Sequence, residues 1–131
     1  MDWKALEEKA WKVRERAYAP YSGFAVGAVV VSEDGQVFEG CNVENLSYGL
    51  TMCAERVAIG SAVAAGVTKI AAVVVVADTK EPISPCGACR QVLAEFGDPE
   101  VLLVGQTGSE RLNISDLLPR AKTGILDRPS E

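Results

Sequence analysis

Ile70-Ala71-Ala72-Val73-Val74-Val75-Val76-Ala77 is the stretch on which the fold turns. Eight aliphatic residues in a row are far short of the roughly 20 that span a membrane. They suit a strand covered on both faces. A polar loop follows from Asp78 to Pro85. Cys86 to Phe96 then carries Cys89, Val92, Leu93 and Phe96 at helical spacing, and Val101 to Val104 is a second apolar strand. Strand, helix and strand in that order predict parallel neighbours joined by a helical crossover.

Upstream, Cys53 to Ala65 is rich in Ala, Val and Ile, lacks proline and is closed by Gly66, which predicts a largely buried helix. Val26 to Val31 and Val37 to Cys41 read as two strands. Between them lies Glu33-Asp34-Gly35-Gln36, and Asp-Gly is a strong hairpin signal. Residues 3 to 18 place Trp3, Leu6, Ala10, Val13 and Ala17 on one helical face. Asp2 is the expected cap, and Pro20 and Gly23 open the next loop. Asn42 to Thr51 has no period and reads as a loop. Ser115 is expected to cap a last turn through Leu118, stopped by Pro119. The expectation is a single domain over 1–131. Its fold is α/β, a three-layer α/β/α sandwich on a mixed sheet of about five strands, four of them located.

Composition narrows the function. The chain has 131 residues, a formal net charge of -5 and an apolar fraction of 48%, enough to bury a core. An acidic chain lacks the basic face that a general nucleic-acid binder needs, so nucleic acid is not expected as a partner. Nor is a membrane. Met1-Asp2-Trp3-Lys4 lacks the basic-then-apolar pattern of a secretion signal, and a cytoplasmic protein is expected. There are four cysteines and no histidine. That removes Ser-His-Asp and Cys-His catalysis and every histidine metal site. Clustered cysteines in a cytosolic chain are more often metal ligands or redox groups than disulfides.

The cysteines are placed for metal. Cys53-Ala54-Glu55 and Pro85-Cys86-Gly87-Ala88-Cys89 each sit where a loop becomes a helix. There the backbone N–H groups and the positive end of the helix dipole lower thiol pKa values. Cys86 and Cys89 lie on one side of a first turn, and Cys53 would supply a third thiolate. Three protein ligands leave one position for water, the catalytic arrangement of zinc. Glu55, two residues past Cys53, reaches that water better than the metal, as a proton shuttle must. Three thiolates over-neutralise a zinc dication, so Arg56 is expected to donate hydrogen bonds to thiolate. The plain alternatives are a solvated Arg56 and an exposed helical Glu55. One Cys-x-x-Cys is only moderately specific. Cys-Ala-Glu followed some thirty residues later by Pro-Cys-x-x-Cys is the all-cysteine form of the zinc deaminase pattern.

Further segments carry a resemblance. Tyr18-Ala19-Pro20-Tyr21-Ser22, Gly40-Cys41-Asn42-Val43-Glu44-Asn45, Ser47-Tyr48-Gly49-Leu50-Thr51, Cys53 to Arg56, Ser84 to Val92 and Leu117-Leu118-Pro119 stand in one order over most of the chain. In these segments the chain resembles the small homotetrameric cytidine deaminases. The resemblance implies one zinc per chain and hydrolysis of cytidine and deoxycytidine to uridine and deoxyuridine plus ammonia, in pyrimidine salvage. Glu55 would be both base and acid, protonating ring N3 and the leaving amine. It also implies that Asn42 and Glu44 bind the ribose hydroxyls, that Phe24 packs on the pyrimidine, and that Tyr48 reaches a neighbouring subunit's site. A homotetramer with sites at subunit interfaces follows from the resemblance alone.

The chain departs from the family at one place. Lys122 stands about where the family carries a phenylalanine that reaches the adjacent subunit's site, and Ile125 or Leu126 would have to fill the gap. This leaves open a deaminase of another aminopyrimidine nucleoside such as blasticidin S. Two other classes also stand. A non-catalytic zinc module would recruit Cys41 as a fourth thiolate and make Glu55 dispensable. A thiol oxidoreductase would use Cys86 and Cys89 and have no need of Cys53.

Overall fold

The computed structural model describes residues 1–121. Lys122, Ile125 and Leu126, on which the family departure turns, lie outside the described residues. The elements in chain order are α1 (Trp3–Arg14), β1 (Val26–Ser32), β2 (Val37–Cys41), α2 (Ala54–Ala64), β3 (Ile70–Ala77), α3 (Gly87–Ala94), β4 (Glu100–Val104), β5 (Ser109–Asn113) and α4 (Ile114–Leu117). A short 3-10 turn, Tyr48–Leu50, interrupts the loop before α2.

The five strands form one sheet in the order β2-β1-β3-β4-β5. β3 and β4 are parallel, as the crossover requires, and the other pairs are antiparallel. Side chains alternate across a strand, so the aliphatic runs feed two cores. Val29, Val31, Val74 and Val76 face Leu6 and Ala10 of α1. Ala28, Val30, Val73 and Val75 face Ala54, Ala58 and Ile59 of α2 and Leu93 of α3. The sandwich and its mixed five-stranded sheet are therefore those expected.

Three local expectations need correction. α1 stops at Arg14, four residues early. Tyr18 instead donates its N–H to the carbonyl of Asn42 and accepts from the N–H of Glu44. That strand-like pairing competes with the helix and wins. Ser115 does not cap the last helix; Asn113 does. Ser115 instead gives both its N–H and its Oγ–H to Asp98, at 2.8 and 2.9 Å. The unlocated fifth strand is β5, which is exposed along much of its length and carries a single large apolar residue, Leu112. It holds its place by backbone pairing to β4.

Two glycines let helices sit directly on the sheet. A Cβ on Gly27 would lie 2.1 Å from the carbonyl oxygen of Ala10 in α1. One on Gly40 would lie 2.4 Å from both the carbonyl oxygen of Ala54 and the nitrogen of Ala58 in α2. Gly40 therefore fixes the depth at which the first turn of α2 rests on β2. By contrast, a Cβ on Gly60, in the interior of α2, meets nothing within 4 Å. Gly40→Ala is expected to cost about 1–3 kcal/mol through overpacking, and Gly60→Ala to gain up to about 1 kcal/mol through helix propensity. Denaturant unfolding of both variants at one protein concentration checks the pair.

Candidate active site

The topology brings two helix starts together. α2 runs back from the end of β2 to the beginning of β3, and α3 runs from the end of β3 to the beginning of β4. Both therefore begin at the C-terminal end of β3, the end of an open α/β sheet where ligands bind. Cys53 is the residue before α2 and Cys86 the residue before α3, both with extended backbone. Cys89 lies in the first turn of α3 and is fully buried. The loop that delivers Cys86 is pinned to the end of β4. Gln106 N–H donates to Thr79 (2.7 Å) and Thr107 N–H to Lys80 (3.0 Å). Gly105 leaves room for Glu81 and Pro82, whose backbone a Cβ there would meet at under 3 Å.

The three sulfurs lie within 4.8 Å of one another, the only such group of potential metal ligands among the described residues. Cys53 Sγ and Cys86 Sγ are 3.9 Å apart. Tetrahedral zinc with bonds of about 2.3 Å to sulfur needs sulfurs about 3.8 Å apart, so the set fits zinc. The backbone N–H of Cys89 donates to Cys86 Sγ at 3.4 Å. In the metal-free chain, the hydrogen bond from Cys89 holds the Cys53 thiol down to about 5. The same bond, together with burial, pushes the Cys89 thiol up. Metal binding expels the protons that remain on the thiols.

Glu55 and Arg56 flank this cluster. Glu55 is 4% exposed, and burial pushes its carboxyl above the ordinary glutamate range, with the Cys53 charge adding to the shift. The exposed-helix alternative for Glu55 is thereby excluded. Arg56 is half-buried, not solvated. Its Nη2 donates to the carbonyl of Thr51 at 3.1 Å and faces Cys53 Sγ at 3.9 Å. Its Nε–H is buried with no acceptor among the described residues.

The other expected residues form a second group. Asn42 is buried and spans the neighbouring loop. Its Oδ1 accepts from Val26 N–H (2.8 Å), and its Nδ2 donates to the Phe24 carbonyl (2.7 Å). Glu44 accepts from the N–H groups of Tyr21 (2.9 Å) and Ser22 (3.1 Å), and from the Ser22 hydroxyl. The Ser22 hydroxyl bond holds the Glu44 carboxyl below its usual range. Tyr21, Ser22, Glu44, Asn45, Tyr48 and Thr51 line a pocket of about 300 Å³, with the Tyr21 ring edge-on to Tyr48. Phe24 is exposed and belongs to no described contact with the sulfurs. Cys41, at the end of β2, stands outside the three-sulfur group, so a closed four-thiolate site is not formed. Sequence reasoning missed Ser22 as the partner of Glu44. The two are 22 residues apart, and only their folded proximity signals the pair.

Comparison with known proteins agrees with this geometry. Residues 2–105 match the model of the cytidine and deoxycytidylate deaminase zinc-binding region, a span that contains Glu55 and the three clustered cysteines. The chain belongs to the cytidine deaminase family, a family of zinc-dependent hydrolytic deaminases. It is 50% identical over 124 residues to the cytidine deaminase of Sporosarcina psychrophila, covering 92% of this chain and 91% of that one. It is 44% identical over 131 residues to the cytidine deaminase of Mycobacterium tuberculosis, covering 100% of this chain and 96% of that one. Its fold matches the crystal structure of the cytidine deaminase from Burkholderia pseudomallei with a TM-score of 0.88 at 54% identity, covering 92% of this chain and 98% of that one. The family's zinc region and the Cys53, Cys86 and Cys89 cluster together fit one zinc per chain.

The raised Glu55 carboxyl gives a signed prediction for zinc-free protein. The folded chain holds this proton at pH values where the unfolded chain has released it. The stability that the proton supplies is present at low pH and is lost as pH rises through the raised folded value. Glu55→Gln carries no such dependence. Zinc-stripped Glu55→Gln is expected to match the wild type at acid pH and to exceed it increasingly as pH rises. Urea unfolding in chelator and reductant from pH 4 to 8 measures the gap, and a gap independent of pH contradicts it.

Proposed function

We propose that this chain deaminates cytidine and deoxycytidine hydrolytically to uridine and deoxyuridine, releasing ammonia. One observation carries the reading: a buried carboxylate, Glu55, stands two residues from one corner of a three-sulfur cluster that has zinc dimensions. A redox dithiol at Cys86 and Cys89 has no use for Cys53. Cys53, Cys86 and Cys89 would hold zinc, whose Lewis acidity would make water a nucleophile at neutral pH.

The protein's own residues move the protons. Glu55 accepts a proton as water attacks C4 and passes it to ring N3, then takes the remaining hydroxyl proton at C4 and passes it to the departing amine. The C4–O bond forms, the C4–N bond breaks, and Glu55 ends as it began. Burial suits it to hold the proton between the two transfers. Arg56 offsets the surplus negative charge of three thiolates on a dication through its contact with Cys53.

Asn42 and Glu44 bind the ribose hydroxyls. Their hydrogen bonds to the 21–26 backbone leave each with unused capacity and a fixed direction. Phe24 packs on the pyrimidine, and Tyr48 reaches the site of a neighbouring subunit. Tyr18, Tyr21, Phe24, Leu46, Tyr48 and Leu50 are all exposed. They crowd the two loops around the pocket, an apolar concentration that supports a homotetramer with sites at subunit interfaces. The cysteines are unpaired thiols, and no described helix is long and apolar enough to cross a membrane. The former favours the reducing cytoplasm, where the products enter pyrimidine salvage.

Ultraviolet-monitored turnover of both nucleosides, with zinc analysis of the same samples, tests the proposal. Wild type is expected to turn over both. Glu55→Gln is expected to keep its zinc and lose about 10²–10⁴-fold in rate. Zinc-loaded wild type that leaves both nucleosides untouched would move the substrate to another aminopyrimidine nucleoside. Full activity in Glu55→Gln would sink the mechanism.

A further inference from the structure

Arg90 follows Cys89 in α3. Helical side chains lean toward the helix N-terminus, and this one reaches back past Cys86. Its Nε donates to the carbonyl of Pro85 at 2.9 Å and its Nη2 to Ser84 Oγ at 2.8 Å. Its Nη1 donates to the carbonyl of Leu117, the last residue of α4, at 2.9 Å. One planar group thus joins the two residues that lead into Cys86 to a helix end 27 residues further along the chain.

The geometry bears directly on Cys86. The Pro85 carbonyl belongs to the peptide unit that ends at the Cys86 Cα, so fixing that plane fixes the direction from which Cys86 presents its sulfur. Cys86 is the exposed member of the three-sulfur group, whereas Cys89 is buried. Its thiol also meets the Cys89 N–H at 3.4 Å and Cys53 Sγ at 3.9 Å. The Leu117 carbonyl is one of the helix-end acceptors that α4 cannot satisfy internally. α4 is in turn seated by the buried Ile114, whose N–H donates to the Pro99 carbonyl, and by the two bonds from Ser115 to Asp98.

We infer that Arg90 is a positioning residue for Cys86, and that through it zinc retention depends on the seating of the C-terminal helix α4. The inference rests on the reading of Cys86 as a zinc ligand. Groups that orient metal ligands from behind typically change metal affinity by about 10–100-fold when removed. Lysine is a poor substitute, because its point charge cannot reproduce a three-way planar fork.

The test is the rate at which folded, zinc-loaded protein gives up its metal to an excess of the chromogenic chelator 4-(2-pyridylazo)resorcinol at 25 °C. Release from Arg90→Gln is expected to be about tenfold faster or more, with Arg90→Lys in between. Arg111→Gln, which loses a guanidinium stacked on Trp3 at the far edge of the sheet, is expected to release zinc at the wild-type rate. Asp98→Ala, which removes the two Ser115 bonds that help to seat α4, is expected to speed release with Arg90 present and to add little in Arg90→Gln. Zinc release at the wild-type rate from Arg90→Gln, with a lowered melting temperature, would overturn the inference and leave Arg90 a strut of the fold. If Arg90→Gln does not fold, Arg90→Lys decides by the same comparison. Wild type that binds no zinc would instead contradict the metal-site reading itself, which distinguishes the two failures.

Discussion

The site depends on one constraint of chain direction. Two helices must begin at the same end of β3, because one leads into that strand and the other leaves it. Their N-termini then converge whatever the side chains are. Cys53 and Cys86, as the last extended residues before these helices, are carried to within 3.9 Å of each other. Close packing makes the convergence tight. At Gly40 the first turn of α2 rests on β2 with no room for a Cβ, and Gly105 lets the loop toward Cys86 press against the end of β4. The sheet interior of valines and alanines supplies the stability, and these two contacts set the aim.

Electrostatics then follow from what has been gathered. Two helix N-termini favour negative charge, the hydrogen bond from Cys89 lowers the Cys53 thiol pKa, and Arg56 lies beside it. Glu55 is held in the same buried place, where burial works against its charge. A carboxyl so placed costs stability when ionised and is for that reason an able proton carrier. The fold tolerates it because the carboxyl is positioned by a helix start that the core already fixes.

Legibility in the sequence followed the kind of signal each feature leaves. The run from Ile70 to Ala77 and the crossover after it are local patterns, and they delivered the parallel core of the sheet. Cys53, Glu55, Cys86 and Cys89 could be grouped because a catalytic zinc in a chain without histidine calls for thiolate ligands and one acid. β5 left almost no trace, because its exposed residues bury little and backbone pairing holds it. The early end of α1 was hidden for a similar reason. Apolar periodicity runs on through Ala17, but Tyr18 is drawn into pairing with the segment at Asn42 and Glu44. The links from Ser22 to Glu44 and from Arg90 to Leu117 join residues more than 20 positions apart, and no spacing rule reports them.

In the proposed site three thiolates hold one zinc and leave a position open for chemistry. X-ray absorption at the zinc edge tests this most directly, on protein purified in reductant with one metal per chain. Three sulfur scatterers at about 2.3 Å and one oxygen or nitrogen at about 2.0 Å are expected. Cys41→Ser is expected to leave the spectrum unchanged. Four sulfur scatterers, with one lost in Cys41→Ser, would close the site and contradict the account.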